Sequence, residues 1–185
     1  MLREKEKLHS RTMTRKQFLK ERKNISIPEL SSRIFHNVEV LKKTLAMCCE
    51  NGIKHYRVSS SMFPLITDKT LHLNYDDLPE LDQIVSSLKE AGDYARSVGI
   101  TLSCHPSQFN VLTSLSDETI KNTITELNHE SQVLDWMGCK QDYSTPMCLH
   151  LSRSPKGEET DYEYLSRFMD SFYASRDPFF VKFER

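Results

Sequence analysis

Little in this sequence suits a secreted or membrane-bound protein. Its five cysteines (48, 49, 104, 139 and 148) form no Cys-x-x-Cys pair and leave one over. That argues against a disulfide framework or a cysteine zinc site and for small buried thiols in a reducing compartment. The charged opening MLREKEKLHSRTMTRKQFLKERK has no apolar run behind it, so it is neither a secretory signal nor a membrane span. The expectation is an intracellular protein, cytoplasmic in a prokaryote or virus and nuclear in a eukaryote. An excess of one charge is also missing, since 25 Lys+Arg stand against 26 Asp+Glu for a formal net of -1. This argues against a generic polycation but leaves room for a local basic stripe on nucleic acid. Hydrophobic residues, at 38%, are few enough that parts of the chain lack burial partners of their own. No glycine-rich linker, low-complexity segment or sequence repeat occurs, and 185 residues suffice for one domain rather than two.

What is present is a repeat of pattern. Residues 1–27 read as a charged segment with little order. Residues 28–50 then read as a helix: Pro28 suits a first turn, Ile34, Val38, Leu41, Leu45 and Cys48 share one face, and Gly52 is a stop. A strand-like run follows at 53–60. The device recurs with a helix at 79–98 (apolar at Leu81, Ile84, Leu88 and Tyr94), a stop at Gly99 and a strand at 100–104. A third helix at 116–138 starts on a Ser-Asp cap and ends at Gly138, before a strand at 146–151. A fourth helix near 160–175 leads to the run 179–183. Helices alternating with short apolar runs predict an α/β fold with parallel strands, whose ligands gather at the strands' carboxyl ends.

Those ends carry the chemistry. After the first stand Arg57, Ser59, Ser60 and Ser61, donors that equally suit a polar loop over the sheet. The second ends in His105, aimed by the fixed torsion of Pro106, with Gln108 and Phe109 just beyond. An amide can imitate a base edge and a ring offers a stacking face. The third ends in His150, followed by Arg153 and Lys156 as candidate phosphate contacts, and the fourth in Glu184. Two imidazoles and a carboxylate on one rim suit Mn, Zn or Fe.

Four segments together resemble the UV damage endonucleases: YRVSSSMFPLITD (56–68), HPSQFNVL (105–112), TELNHESQVLDWMG (125–138) and LREKEKLHSRTMT (2–14), with Asn37 in the first helix. The resemblance implies a DNA-repair nuclease of TIM-barrel type. It would use a cluster of divalent metal ions, typically manganese, to cut the phosphodiester 5′ of a UV photoproduct in double-stranded DNA. Residue by residue, it implies metal ligation by His105, His150 and Glu184, with Asp68 standing where the family usually has a histidine. Gln108 and Phe109 fall on the pair that wedges into the duplex at the lesion, and Arg57, Ser59, Ser60, Arg153 and Lys156 become candidates for the DNA backbone. Arg185 stands where the family motif has asparagine.

The resemblance also implies a partial barrel of about four βα units, equivalent to family strands two to five, in a single domain over 1–185. The first and last three family strands find no counterpart. Two readings follow, a repair endonuclease of which this is one piece, and a catalytically inactive remnant that binds DNA or a complementing chain. A third, another metal-dependent TIM-barrel enzyme such as an abasic-site endonuclease, fits the serine cluster and HPSQF less well.

Overall fold

The computed structural model describes residues 8–107, 109–149 and 159–174. The charged opening packs in its described part. Thr14 caps helix α1 (Arg15–Lys20) through a reciprocal box, its hydroxyl accepting from the Gln17 amide while the Gln17 carbonyl accepts from the Thr14 amide. Phe18 on that helix is buried, as is Met13 before it. Where the sequence predicts little order over 1–27, tertiary burial of these two side chains holds the 8–27 portion.

Helix α2 (Lys23–Glu50) starts earlier than predicted, so Pro28 lies inside it rather than in its first turn. A proline there forfeits one backbone bond and costs on the order of 3 kcal/mol. Contacts beyond the helix offset this. The Ser26 hydroxyl donates to the Phe18 carbonyl at 2.6 Å, and Lys23 donates to the Leu71 carbonyl at 3.0 Å. Leu30, Ile34, Val38, Leu41 and Leu45 form its buried stripe.

Three helices end in one way. Gly52, Gly99 and Gly138 have φ of 70°, 70° and 65°, a region costly for any residue with a Cβ. In each case the glycine N–H and the next N–H turn back onto the last helical carbonyls, as in Gly52 to Cys49 and Ile53 to Cys48. After Gly52 and Gly99 the chain thereby reverses directly into the next strand, whereas after Gly138 turns over 141–145 precede the bridge at Met147.

Strands β1 (His55–Val58) and β2 (Thr101–Cys104) pair in parallel, His55 opposite Thr101 and Val58 opposite Cys104. A parallel bridge from Cys104 to Met147 begins a third position on the far side of β2. The predicted strand at 146–151 is thus a single bridge among the described residues, and 53–60 shrinks to four residues because Ser59 already turns the chain. The run 179–183 lies outside the described residues. Four βα units therefore reduce, among the described residues, to two strands and a bridge.

Helices α3 (Leu81–Ser97) and α4 (Asp117–Trp136) follow, α2 packing on α3 and α3 on α4. On α3 the inward face is Ile84, Leu88, Ala91 and Ala95, while Tyr94 is exposed. Helix α5 (Asp161–Ala174) closes the described chain. Tyr56, Val58, Leu102 and Cys104 pack toward the helices. On the opposite sheet face the His55 ring nitrogens pair with the Thr101 and Ser103 hydroxyls at 2.8 and 2.9 Å. No described helix is long and apolar enough to cross a membrane.

Candidate metal and nucleic-acid site

Because Val58 pairs with Cys104, and Cys104 with Met147, three chain segments leave the sheet side by side. Ser59 leaves β1, His105 leaves β2, and Cys148 and Leu149 leave the third position. The Cys104 amide donates to the Pro146 carbonyl, and the Cys148 amide to the Cys104 carbonyl, both at 3.0 Å. Parallel pairing and strand polarity alone put these segments on one rim.

His105 is half-buried and Pro106 buried. The loop beyond is tied at its base. Asn110 donates to the Ser107 carbonyl at 2.9 Å, Val111 to the Thr123 hydroxyl on α4 at 3.1 Å, and Arg167 of α5 to the Thr113 carbonyl at 3.0 Å. Leu112 and Thr113 are buried, yet Phe109 between these anchors is 77% exposed. An apolar ring held outward on a fixed loop is a surface for stacking. Gln108, His150, Arg153, Lys156 and Glu184 lie outside the described residues.

The remaining predicted residues are placed as follows. Ser59 is exposed, and its hydroxyl pairs with that of Ser61 at 2.9 Å, a local turn bond. Ser60 is half-buried. Arg57 is exposed but belongs to β1 itself, opposite Ser103.

Asp68 is drawn into another role. Its carboxylate accepts from Arg15 Nε at 2.7 Å, from the Thr70 hydroxyl at 2.6 Å and from the Thr70 amide at 3.0 Å. Burial works against its charge, but the Thr70 bonds and the Arg15 guanidinium outweigh that and lower its pKa. It lines a cleft with Thr67, Glu118, Asn122 and Glu126, a set without His105. The Asp68 carboxylate, expected as a metal ligand, has both oxygens accepting from protein donors. Among the described residues no group of three or more His, Cys, Asp or Glu side chains could hold a metal ion.

His105 offers one donor of the kind a metal takes, a half-buried imidazole at the end of β2. Imidazole nitrogens with a carboxylate form a donor set suited to Mn, Zn or Fe.

Two buried groups lie under the rim, one of which, Glu130, escaped the sequence reading. Asn37 of α2, 2% exposed, accepts from the Arg11 amide at 2.6 Å. It donates to the Arg11 and Met62 carbonyls at 2.8 and 2.9 Å. It thus ties the opening segment to the turn after β1. Asn37→Ala is expected to cost about 2–3 kcal/mol in urea unfolding, because an amide and two carbonyls lose their partner. The second group is Glu130 of α4, 4% exposed, whose Oε2 accepts from the Cys104 thiol. Its signal was the stripe Leu127, Glu130, Leu134, with a carboxyl at a core position. Beside it His129 is a packed histidine. Its Nδ1 pairs with the Tyr75 hydroxyl at 2.6 Å, its ring meets Phe63 edge-on, and burial pushes its pKa down to about 4.

The profile of the UV-endonuclease UvdE family matches residues 1–175. The chain belongs to the UV-endonuclease family. A UV DNA damage endonuclease of Nostoc sp. is 29% identical over 83% of this chain and 46% of its own length. One of Deinococcus radiodurans is 30% identical over 66% of this chain and 39% of its own. A putative UV-damage endonuclease of Acanthamoeba polyphaga mimivirus is 29% identical over 81% and 44%. The crystal structure of SacUVDE superposes with a TM-score of 0.73 at 26% identity, covering 94% of this chain and 53% of that one. The chain spans about half the length of the curated relatives it matches, and the α/β fold is the one it shares with that structure.

Proposed function

We propose that this chain carries part of the active rim of a metal-dependent endonuclease that nicks double-stranded DNA 5′ of UV photoproducts. The observation that carries the reading is Phe109, 77% exposed on a loop anchored to α4 and α5 and four residues beyond His105. An anchored ring loses little freedom on entering a base stack. Its insertion costs unstacking of a few kcal/mol, least at a step already deformed by damage. Gln108 beside it supplies an amide for the exposed base edge. His105, His150 and Glu184 would hold the divalent ions, manganese foremost. Such ions lower the pKa of bound water and clamp phosphate oxygens. Arg57, Ser59, Ser60, Arg153 and Lys156 are the candidates to fix the DNA backbone.

The barrel is proposed as partial in this chain, about four βα units over 1–185. The polar sheet face of His55, Arg57 and Thr101 is exposed, and α5 shows a stripe of Tyr162, Leu165, Met169 and Tyr173 at 80%, 55% or lesser exposures. Both surfaces suit the packing of further barrel units, in the same chain or a complementing one. A second reading, DNA binding without catalysis, draws support from Asp68, whose carboxylate serves Arg15 and Thr70.

The test is a nicking assay with Mn on irradiated and intact duplexes, beside a binding assay on both. Nicking confined to irradiated duplex supports the endonuclease. Preferential binding without nicking supports the second reading. The double variant Gln108→Ala with Phe109→Ala is expected to keep Mn affinity and to lose about tenfold in preference for irradiated DNA, as removal of one stacking contact of about 1–3 kcal/mol predicts. Equal losses on both duplexes would make the pair part of the loop's scaffold.

A further inference from the structure

Glu130 occupies a position where α4 otherwise presents leucines, Leu127 and Leu134, to the strand ends. One of its oxygens accepts from the Cys104 thiol, and Oε1 has no hydrogen-bond partner among the described residues. On packing grounds an apolar side chain would serve this position as well or better, since a buried carboxyl must be desolvated. What the carboxyl adds is a directed contact. Cys104 is the node of the rim: it pairs with Val58 on one side and Met147 on the other, and His105 is the next residue. Glu130 also shares a small enclosed chamber with Ser59 and Ser60, which begin the turn after β1.

We propose that Glu130 is a positioning residue: its carboxyl clamps Cys104 at the point where β2 ends, and so sets the direction in which His105 leaves the sheet to hold a metal ion. The inference rests on the metal-binding reading of His105 given above. Among the described residues, the titratable groups around Glu130 are Cys104 from β2 and Glu126 and His129 from its own helix, while β1 and its turn contribute Val58, Ser59, Ser60, Met62 and Phe63. Burial, opposed by the Cys104 bond and aided by Glu126, pushes the Glu130 pKa up to about 7 from an ordinary 4.5. The folded chain therefore holds a proton there that the unfolded chain has released. The Glu130 contribution to stability is present below about pH 4.5 and is lost as pH rises towards 7, while buried His129, its pKa lowered to about 4, contributes the opposite slope.

The test uses the full chain, with Mn affinity read from the paramagnetic resonance of free Mn and folding from thermal melts. Glu130→Gln keeps an acceptor for the thiol, so Mn affinity stays within about twofold, while the slope of stability against pH between about 5 and 7 becomes more positive than in the wild type. Glu130→Leu remains folded but weakens Mn binding about tenfold. Cys104→Ala does the same, and the double variant is no worse than either, because both act through one contact. Wild-type Mn affinity in Glu130→Leu, or losses that add in the double variant, overturns the clamp. His105→Ala separates the two levels. If it leaves Mn affinity unchanged, the metal reading falls and the clamp with it. If it weakens binding while Glu130→Leu does not, the clamp alone falls.

Discussion

Gly92→Ala is expected to destabilise the chain by about 3 kcal/mol, the reverse of what a helix normally does with that substitution. In an unconstrained helix interior, alanine gains up to about 1 kcal/mol over glycine. Gly92 lies within α3 where α4 ends, and a Cβ there would stand 1.8 Å from the Met137 carbonyl oxygen and 2.7 Å from its carbon. Both atoms are backbone, so no rotamer relieves the clash. The helices would have to separate by more than 1 Å, roughly the shortfall from ordinary van der Waals contact. That movement disturbs more than one contact. The same Met137 carbonyl accepts from Arg96 at 2.8 Å, and Met137 itself is fully buried against the core. Overpacking of this kind commonly costs about 1–3 kcal/mol, with the upper end expected where backbone meets backbone. Urea unfolding should show a lower midpoint at unchanged slope. A midpoint equal to or above the wild type would mean that α3 and α4 are not in this close contact.

The second large effect is functional. His105→Ala is expected to lower Mn affinity on the order of 100-fold, at or above the upper end of what even outer partners of metal ligands contribute. It should leave the melting temperature nearly unchanged. The two expectations have one cause: His105 follows the last paired residue of β2, so its ring is half-buried and its removal opens no core cavity. His150→Ala should show a similar loss if the two imidazoles share an ion. Mn titration of both variants decides the matter, and unchanged affinity in both removes the metal argument altogether. Nicking of irradiated DNA should fall in parallel with affinity and recover at high Mn if the loss is one of binding.

The rim under these predictions is held by contacts between distant parts of the chain. Asp68 reaches Arg15, Glu130 reaches Cys104, and Asn37 joins Arg11 to Met62. Asn37 and Glu130 are buried, which raises the cost of losing their partners. The turn after β1 and the loop after β2, which carry Ser59, Ser60 and Phe109, are fixed from below by these groups and by Thr123 and Arg167.

By itself the sequence determined helices α2, α3 and α4 and the two strands between them, because the signals are local. Helical spacing placed α2, α3 and α4, and glycines able to adopt positive φ ended each of them within two residues of the predicted stop. The sequence also determined the family and the strand-end position of His105. Only the tertiary structure decided that Pro28 sits inside a helix, since the compensating bonds come from Phe18 and Leu71. It likewise decided that Asp68 pairs with Arg15 across 53 positions, and that Glu130 is core. The reason is physical. Local backbone preference depends on a few neighbouring residues and is legible in their order. The fate of a polar or aromatic side chain depends on which distant groups the fold brings within reach, and spacing along the chain does not encode that.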